Sequence, residues 1–159
     1  MLGDALLHYI GFTKAIEVWM HAAHHLTKGP SFIANHELLF GRIYQTFSED
    51  FDRVVEKIVY LTDDEKFACP KIVSEVSSKI LSSYDSPANM SERSIGMVAL
   101  CMIVDHMKGI EVTRELLKKE DMLTLGMDDL LTSSSNQYEN YAYTYYKYQY
   151  ISDLLISLI

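Results

Sequence analysis

Apolar residues recur along this 159-residue chain at spacings of three, four and seven, the period of a helix with one buried face. Four long segments carry that pattern. The first runs from about Asp4 to Leu26, with Leu6, Leu7, Ile10, Val18 and Trp19 at its apolar positions. Asp4 reads as its N-cap, and Gly29 and Pro30 in "TKGPS" end it. The second runs from about Ser31 to Leu61, where Phe32, His36, Leu39, Ile43, Phe47, Val54 and Ile58 share a face. A straight helix of that length spans roughly 45 Å. The third runs from about Ser91 to Glu120, with Ile95, Val98, Met102, Ile110, Val112 and Leu116 as its apolar face. Asn89 and Glu92 resemble a capping box in its less common Asn form, and "EDMLTLG" breaks the pattern. The fourth runs from about Met127 to Ile156.

The centre of the fourth segment, "YENYAYTYYKYQY", holds seven of the chain's eleven tyrosines. Tyr141, Tyr143 and Tyr145 alternate as in a strand. The helical count accounts for more of the segment. Leu131, Ser134, Tyr138, Tyr141, Tyr145, Tyr148, Ser152 and Leu155 form one stripe, and Tyr143, Tyr146 and Tyr150 a second. Tyrosines so placed suit core and subunit packing, because each buries a large ring with one polar tip to satisfy.

Residues 62–90 are polar at their edges, with a short helix expected over Lys71–Leu81 after Pro70 and a reset at Pro87. The turns after the first and third segments are short, so each pairs with its successor as an antiparallel hairpin. The middle connection is long enough to cross a bundle. The expected fold is all-α: one domain over residues 1–159, a ferritin-like four-helix bundle with a short helix in the crossover between helices two and three.

Composition agrees. Apolar residues make up 48% of the chain, enough for a sizeable core, and seven Gly and three Pro argue against a turn-rich all-β fold. No uncharged apolar run reaches the roughly 18 residues of a membrane span. The start, "MLGDALLHYIGFTK", carries neither the basic opening nor the small-residue cleavage site of a secretory signal. Cys69 and Cys101 fit no metal or disulfide spacing, so a reducing cytoplasm is the expected setting. The net charge of −8 repels nucleic acid. The first Lys or Arg is Lys14 and none follows Lys147. With no basic tail to meet phosphate, DNA binding is disfavoured.

The candidate chemistry gathers in "HAAHHLTKGPSFIANHELLF", which holds four of the six histidines. His21, His24 and His25 stand at i, i+3 and i+4, so their imidazoles share a helix face. Cationic histidines near a helix C-terminus also complement its dipole without any ligand. His36 falls on the apolar stripe of the second segment, where a hydrogen-bonded core histidine is the ordinary alternative; Glu37 beside it reads as solvated. Asp52 and Glu56 form an i, i+4 carboxylate pair with Glu49 a turn before. Paired carboxylates repel unless a cation or proton lies between them, or else they form a solvated face. Imidazole with carboxylate suits iron, manganese or zinc better than calcium. Asp105 and His106 form an isolated pair, and the Glu-x-x-His motif of di-iron bundles occurs nowhere.

At this point "AHHLTKGPSFIANHELLFG" resembles the helix-turn-helix signature of the Dps family, the miniferritins. The places of the family's His-Trp, basic-Gly, Phe and His-Glu are here His24-His25, Lys28-Gly29, Phe32 and His36-Glu37. "FDRVVEKIVYL" resembles the family's Asp-x-x-x-Glu-Arg pattern through Asp52, Glu56 and Lys57, and "DDLLTSSS" the opening of its last helix. The resemblance implies a homo-oligomeric shell of twelve subunits that oxidises ferrous iron with hydrogen peroxide or oxygen, stores the ferric product and protects against oxidative stress. It implies an iron site between two subunits, with His24 and His36 from one and Asp52 and Glu56 from the other. Many family members also bind DNA through basic tails.

The chain departs from the family in three places. Phe40 stands where the family has an Asp one turn after the second histidine. One extra residue separates His36 from Asp52, which in a regular helix rotates the acids by about 100°; a one-residue π-bulge absorbs such a rotation. His25 replaces the tryptophan and is a possible substitute ligand. These departures keep a second reading open, a structural shell with a degenerate ferroxidase site, and a third, a DNA-compacting protein.

Overall fold

The computed structural model describes the backbone of residues 1–29 and 32–156 and the side chains of those residues up to 147. The expected starting point of the second helix, Ser31, the helix-ending Pro30, and Tyr148, Tyr150, Ser152 and Leu155 of the tyrosine stripes lie outside the described side chains. Among the described residues five α-helices form: α1 (Leu2–Leu26), α2 (Arg42–Thr62), α3 (Pro70–Leu81), α4 (Glu92–Lys119) and α5 (Leu125–Ile156). A π-helix, Ala34–Gly41, leads into α2, and a 3-10 turn, Glu65–Ala68, precedes α3.

The four long helices close a bundle in which α1 packs on α2 and α4, and α5 packs on α4 and α2. The crossover from α2 to α4 carries α3 across the outside of α1. This is the all-α, ferritin-like arrangement the periodicity predicts. Gly11 makes the α1–α3 crossing possible. A Cβ there would lie 2.3 Å from Val76 Cγ1, and Ser77 Oγ donates to the Gly11 carbonyl at 3.0 Å. Trp19 Nε1 donates to the Asp85 carbonyl at 2.9 Å, which ties the end of the crossover back to α1. Arg114 grips Asp128 with two N–H groups across the α4–α5 turn.

Local details differ from the pattern in physically simple ways. α1 starts at Leu2, so Asp4 sits inside its first turn, where a carboxylate meets the positive end of the dipole and pairs with the Met1 amine. Ser91, not Asn89, caps α4, its hydroxyl accepting from the Ser94 N–H at 3.1 Å. Asn89 instead takes the left-handed conformation at φ 64°, which Asn tolerates in turns. Val18 and Val112 face outward, and so does Phe32. The described part of the first tyrosine stripe turns inward: Leu131, Ser134, Tyr138 and Tyr145 are buried, while Tyr143 and Tyr146 of the second are exposed.

The bundle core is not wholly apolar. Asp50 is fully buried, accepting from the Tyr138 hydroxyl and pairing with Arg53, whose guanidinium reaches in from the surface. Beside it, His106 is enclosed by Tyr9, Phe12, Phe47 and Tyr138. Thr13 Oγ1 donates to the Tyr9 carbonyl at 2.9 Å, so its oxygen accepts from His106 Nε2 at 3.3 Å. That single neutral partner leaves an imidazolium without compensation. Burial, with a smaller contribution from His8, pushes the His106 pKa down to about 3. The unfolded chain, with a pKa near 6.5, therefore binds the proton first as pH falls, and acid favours unfolding across the window between those values. Between pH 7 and pH 5 this costs about 2 kcal/mol. Chemical denaturation of the wild type and of His106→Gln across that range should show the variant's stability falling less by about that amount; parallel curves would refute the role given to His106.

Candidate metal centre

The π-helix sets the geometry here. Its i→i+5 bonds place one more residue in a turn than an α-helix does. Eight residues, Ala34–Gly41, take this form between the α1 turn and α2. Sequence periodicity reads a single unbroken helix from Ser31; the structure inserts the wider turn around His36, before α2 begins. Gly41 closes it. A Cβ on Gly41 would lie 2.8 Å from the His36 carbonyl oxygen and 3.4 Å from His24 Nδ1.

The wide turn brings His36 onto the end of α1. The rings of His24 and His36 stack with centroids 3.7 Å apart, and Phe32 stacks on the far side of His36 at 4.7 Å. His24 Nδ1 lies 2.8 Å from the His36 carbonyl oxygen. A carbonyl only accepts, so Nδ1 carries a proton, and in the neutral ring Nε2 keeps a free lone pair. His36 Nδ1 lies 2.7 Å from Glu37 Oε1, which fixes the same tautomer on the second ring. Glu37 is exposed, but it points to His36 rather than to bulk solvent alone. An imidazole whose Nδ1–H is held by a carbonyl or carboxylate is oriented for metal ligation through Nε2.

The other two histidines of the stretch complete a cluster. His25 Nε2 lies 3.0 Å from His21 Nε2, and the His25 ring centroid is 5.1 Å from that of His24. His21 stacks on Tyr44 of α2 at 4.5 Å. Loss of solvation, then the neighbouring His21, His24 and His36, hold the His25 pKa below its ordinary value. His21 and Tyr44 belong to this cluster although no sequence pattern ties α1 to Tyr44; the i, i+4 spacing of His21 and His25 was the only signal for the former.

The two acids lie elsewhere on the same subunit. Asp52 and Glu56 are exposed on α2, and neither makes a hydrogen bond or ion pair with a described residue. Between four and six turns of helix separate them from His36, roughly 20–30 Å along the axis. Glu56 lines an open groove with Arg53, Lys57, Tyr60 and Asp129. Glu49 is likewise exposed, whereas the neighbouring Asp50, not singled out by spacing, is the acid that turns into the core. Phe40, at the place of the expected carboxylate, is buried and packs against Tyr145 with ring centroids 5.9 Å apart. Asp105 and His106 also part company: Asp105 accepts from Lys108 and Tyr84, each at 2.9 Å, while His106 faces the core. Among the described residues, no group of three or more His, Cys, Asp or Glu side chains is arranged to hold a metal ion.

Several large apolar side chains near the histidines are exposed, alongside Lys28 and Glu37. Leu26, Phe32, Ile33 and Leu38 are all exposed at the same end of the bundle. Elsewhere, among the described residues, no helix is long and apolar enough to cross a membrane.

No protein-family model and no curated protein matches the chain. Among solved structures, a C-terminal deletion mutant of Mycobacterium smegmatis Dps matches it with a TM-score of 0.72 at 17% identity, over 92% of this chain and 94% of that one. The likeness establishes a Dps-like, ferritin-like fold over nearly the whole chain.

The geometry yields a direct test of the π-turn. Gly41→Ala forces its new methyl group against the His36 carbonyl, which must move and release His24 Nδ1. Denaturant unfolding should show a loss of about 1–3 kcal/mol, with the His24 ring resonances shifted in NMR spectra. An unchanged stability and unchanged His24 signals would show that Gly41 has no such part.

Proposed function

We propose that the chain is the subunit of a hollow, twelve-subunit miniferritin shell that binds ferrous iron, oxidises it and stores the ferric product, thereby limiting oxidative damage. The observation that carries this reading is the pair His24 and His36: two stacked imidazoles, each with Nδ1–H held by an acceptor and Nε2 left free. Two ligands are too few to hold iron tightly, and the acids that would complete the set are exposed and unpartnered some turns away. A second copy, docked through the apolar surface of Leu26, Phe32, Ile33 and Leu38, would bring its own Asp52 and Glu56 to these histidines. An exposed apolar patch of this kind marks an association surface.

Iron is the substrate in this reading. Two ferrous ions each give up one electron, and one hydrogen peroxide takes up both electrons and two protons to leave two waters; molecular oxygen is the slower alternative oxidant. The carboxylates neutralise the growing charge on the metal, and the neutral imidazoles hold its position. His25 stands beside the pair, its Nε2 turned to His21. The Dps-like fold of the matched structure supports the same reading.

A second reading has its own support. Phe40 fills the core where the family resemblance offers a carboxylate, which fits a structural shell without a working ferroxidase site. DNA compaction is the less favoured alternative at a net charge of −8.

The two leading readings separate in a stopped-flow assay of ferrous oxidation by peroxide. On the iron reading, His24→Ala and Asp52→Ala each slow oxidation by about 10–100-fold. Because each site draws on two subunits, shells assembled from a mixture of the two variants regain part of the wild-type rate. A wild-type protein that leaves the spontaneous rate unchanged would favour the structural shell. Variants as fast as wild type would overturn the ligand set.

A further inference from the structure

We propose that His21 and His25 form a second metal site, a bidentate imidazole chelate for a late divalent transition metal such as Zn2+ or Cu2+, distinct from the His24–His36 iron site. It is built within one subunit, on the last turns of α1, and needs neither the iron reading nor a partner chain.

The geometry begins with the two ring nitrogens. His21 Nε2 and His25 Nε2 face each other at 3.0 Å. Two neutral imidazoles cannot both point lone pairs at one another at that distance, so a shared proton must lie between them. A metal ion takes the place of that proton, which passes through solvent to Nδ1 of the donor ring, and so uses both Nε2 lone pairs at once. With metal–nitrogen bonds of about 2.05 Å, a 3.0 Å separation subtends about 94° at the metal. That is the cis angle of a square-planar or octahedral centre, and a small opening of the two side chains reaches the tetrahedral angle zinc prefers.

The surroundings favour the same metals. The i, i+4 spacing on a helix already fixes both rings on one face. His21 is further held by its stack on Tyr44 at 4.5 Å and a 26° interplanar angle. Both histidines are exposed, so water can fill the remaining coordination positions. The pair makes no hydrogen bond to a carboxylate among the described residues, which leaves an all-nitrogen protein donor set. Imidazole donors of this kind bind Cu2+ and Zn2+ more tightly than Fe2+ under the usual order of divalent affinities. The cluster thus divides: His24 and His36, each held through Nδ1, form one pair, and His21 and His25, joined through Nε2, form the other.

The test uses full-length, metal-stripped protein and the metal alone. Zn2+ titrated by calorimetry should fill one site per chain that is absent from both His21→Ala and His25→Gln. Cu2+ added at one equivalent should give an electron paramagnetic resonance spectrum with nitrogen couplings that both variants lose. His36→Ala should keep this site, and His21→Ala should still oxidise iron as the wild type does. Circular dichroism and the assembled mass confirm that each variant is folded. Zn2+ and Cu2+ binding unchanged in folded His21→Ala and His25→Gln would overturn the proposal. So would a site lost from His36→Ala but kept in those two, since the metal would then belong to the other pair. Failure of iron oxidation in every protein, with the Zn2+ site intact, would sink the iron reading and leave this one standing.

Discussion

The hydrogen bond from His24 Nδ1 to the His36 carbonyl joins the end of α1 to the π-helix, and the layout of the histidine cluster follows from it. It fixes the tautomer of one ring, holds the other ring in a stack beside it, and requires the wide turn that presents the His36 carbonyl. The wide turn in turn depends on Gly41, the residue with no side chain to collide with that carbonyl. A π-helix has poorer backbone geometry than an α-helix and is seldom kept without a local use. Here its use is positional: it turns His36 toward α1 and buries Phe40 against Tyr145.

A second constraint acts on the bundle as a whole. Asp50, Tyr138, Tyr9 and His106 place polar groups between helices that would otherwise pack through aliphatic surface. Burial raises the Tyr138 pKa and keeps the hydroxyl protonated, so it remains a donor to Asp50. The Asp50 partnership raises the Arg53 pKa in turn. Buried polar groups demand particular partners, whereas apolar side chains slide past one another more freely. The seam links α2 to α5 through Asp50 and Tyr138, and α1 to α4 through Thr13 and His106. The surface that carries the histidines is thus mounted on helices whose mutual register is pinned from within.

Much of the fold was legible in the sequence because the responsible forces are local. Helical periodicity marked all four long helices and the short one in the crossover, and the lengths of the connections gave their order. Caps were less legible, since Ser91 and Asn89 are both good turn residues and only the backbone decides between them. The candidate centre was half legible. The spacing of His24, His25 and His36 about Gly29 pointed to a cluster, and the extra residue before Asp52 pointed to a π-turn. The tertiary partners were not legible: Tyr44 beneath His21, and the inward turn of Asp50 between two solvated acids. Each depends on the rotation of α2 against α1, which a wide turn changes and a regular period does not record. Phe40 illustrates the same point. Alignment of motifs sets it at a ligand position, while the π-helix rotates it into the core.

In the proposed function, His24 and His36 of one subunit share iron with Asp52 and Glu56 of another. Anomalous scattering at the iron edge, from crystals soaked anaerobically with Fe2+, tests it most directly. The expected result is an iron peak bonded to Nε2 of His24 or His36 and to a carboxylate from the neighbouring copy. Iron found only at other residues, or a histidine pair facing solvent in the assembled protein with no acid opposite, would contradict it.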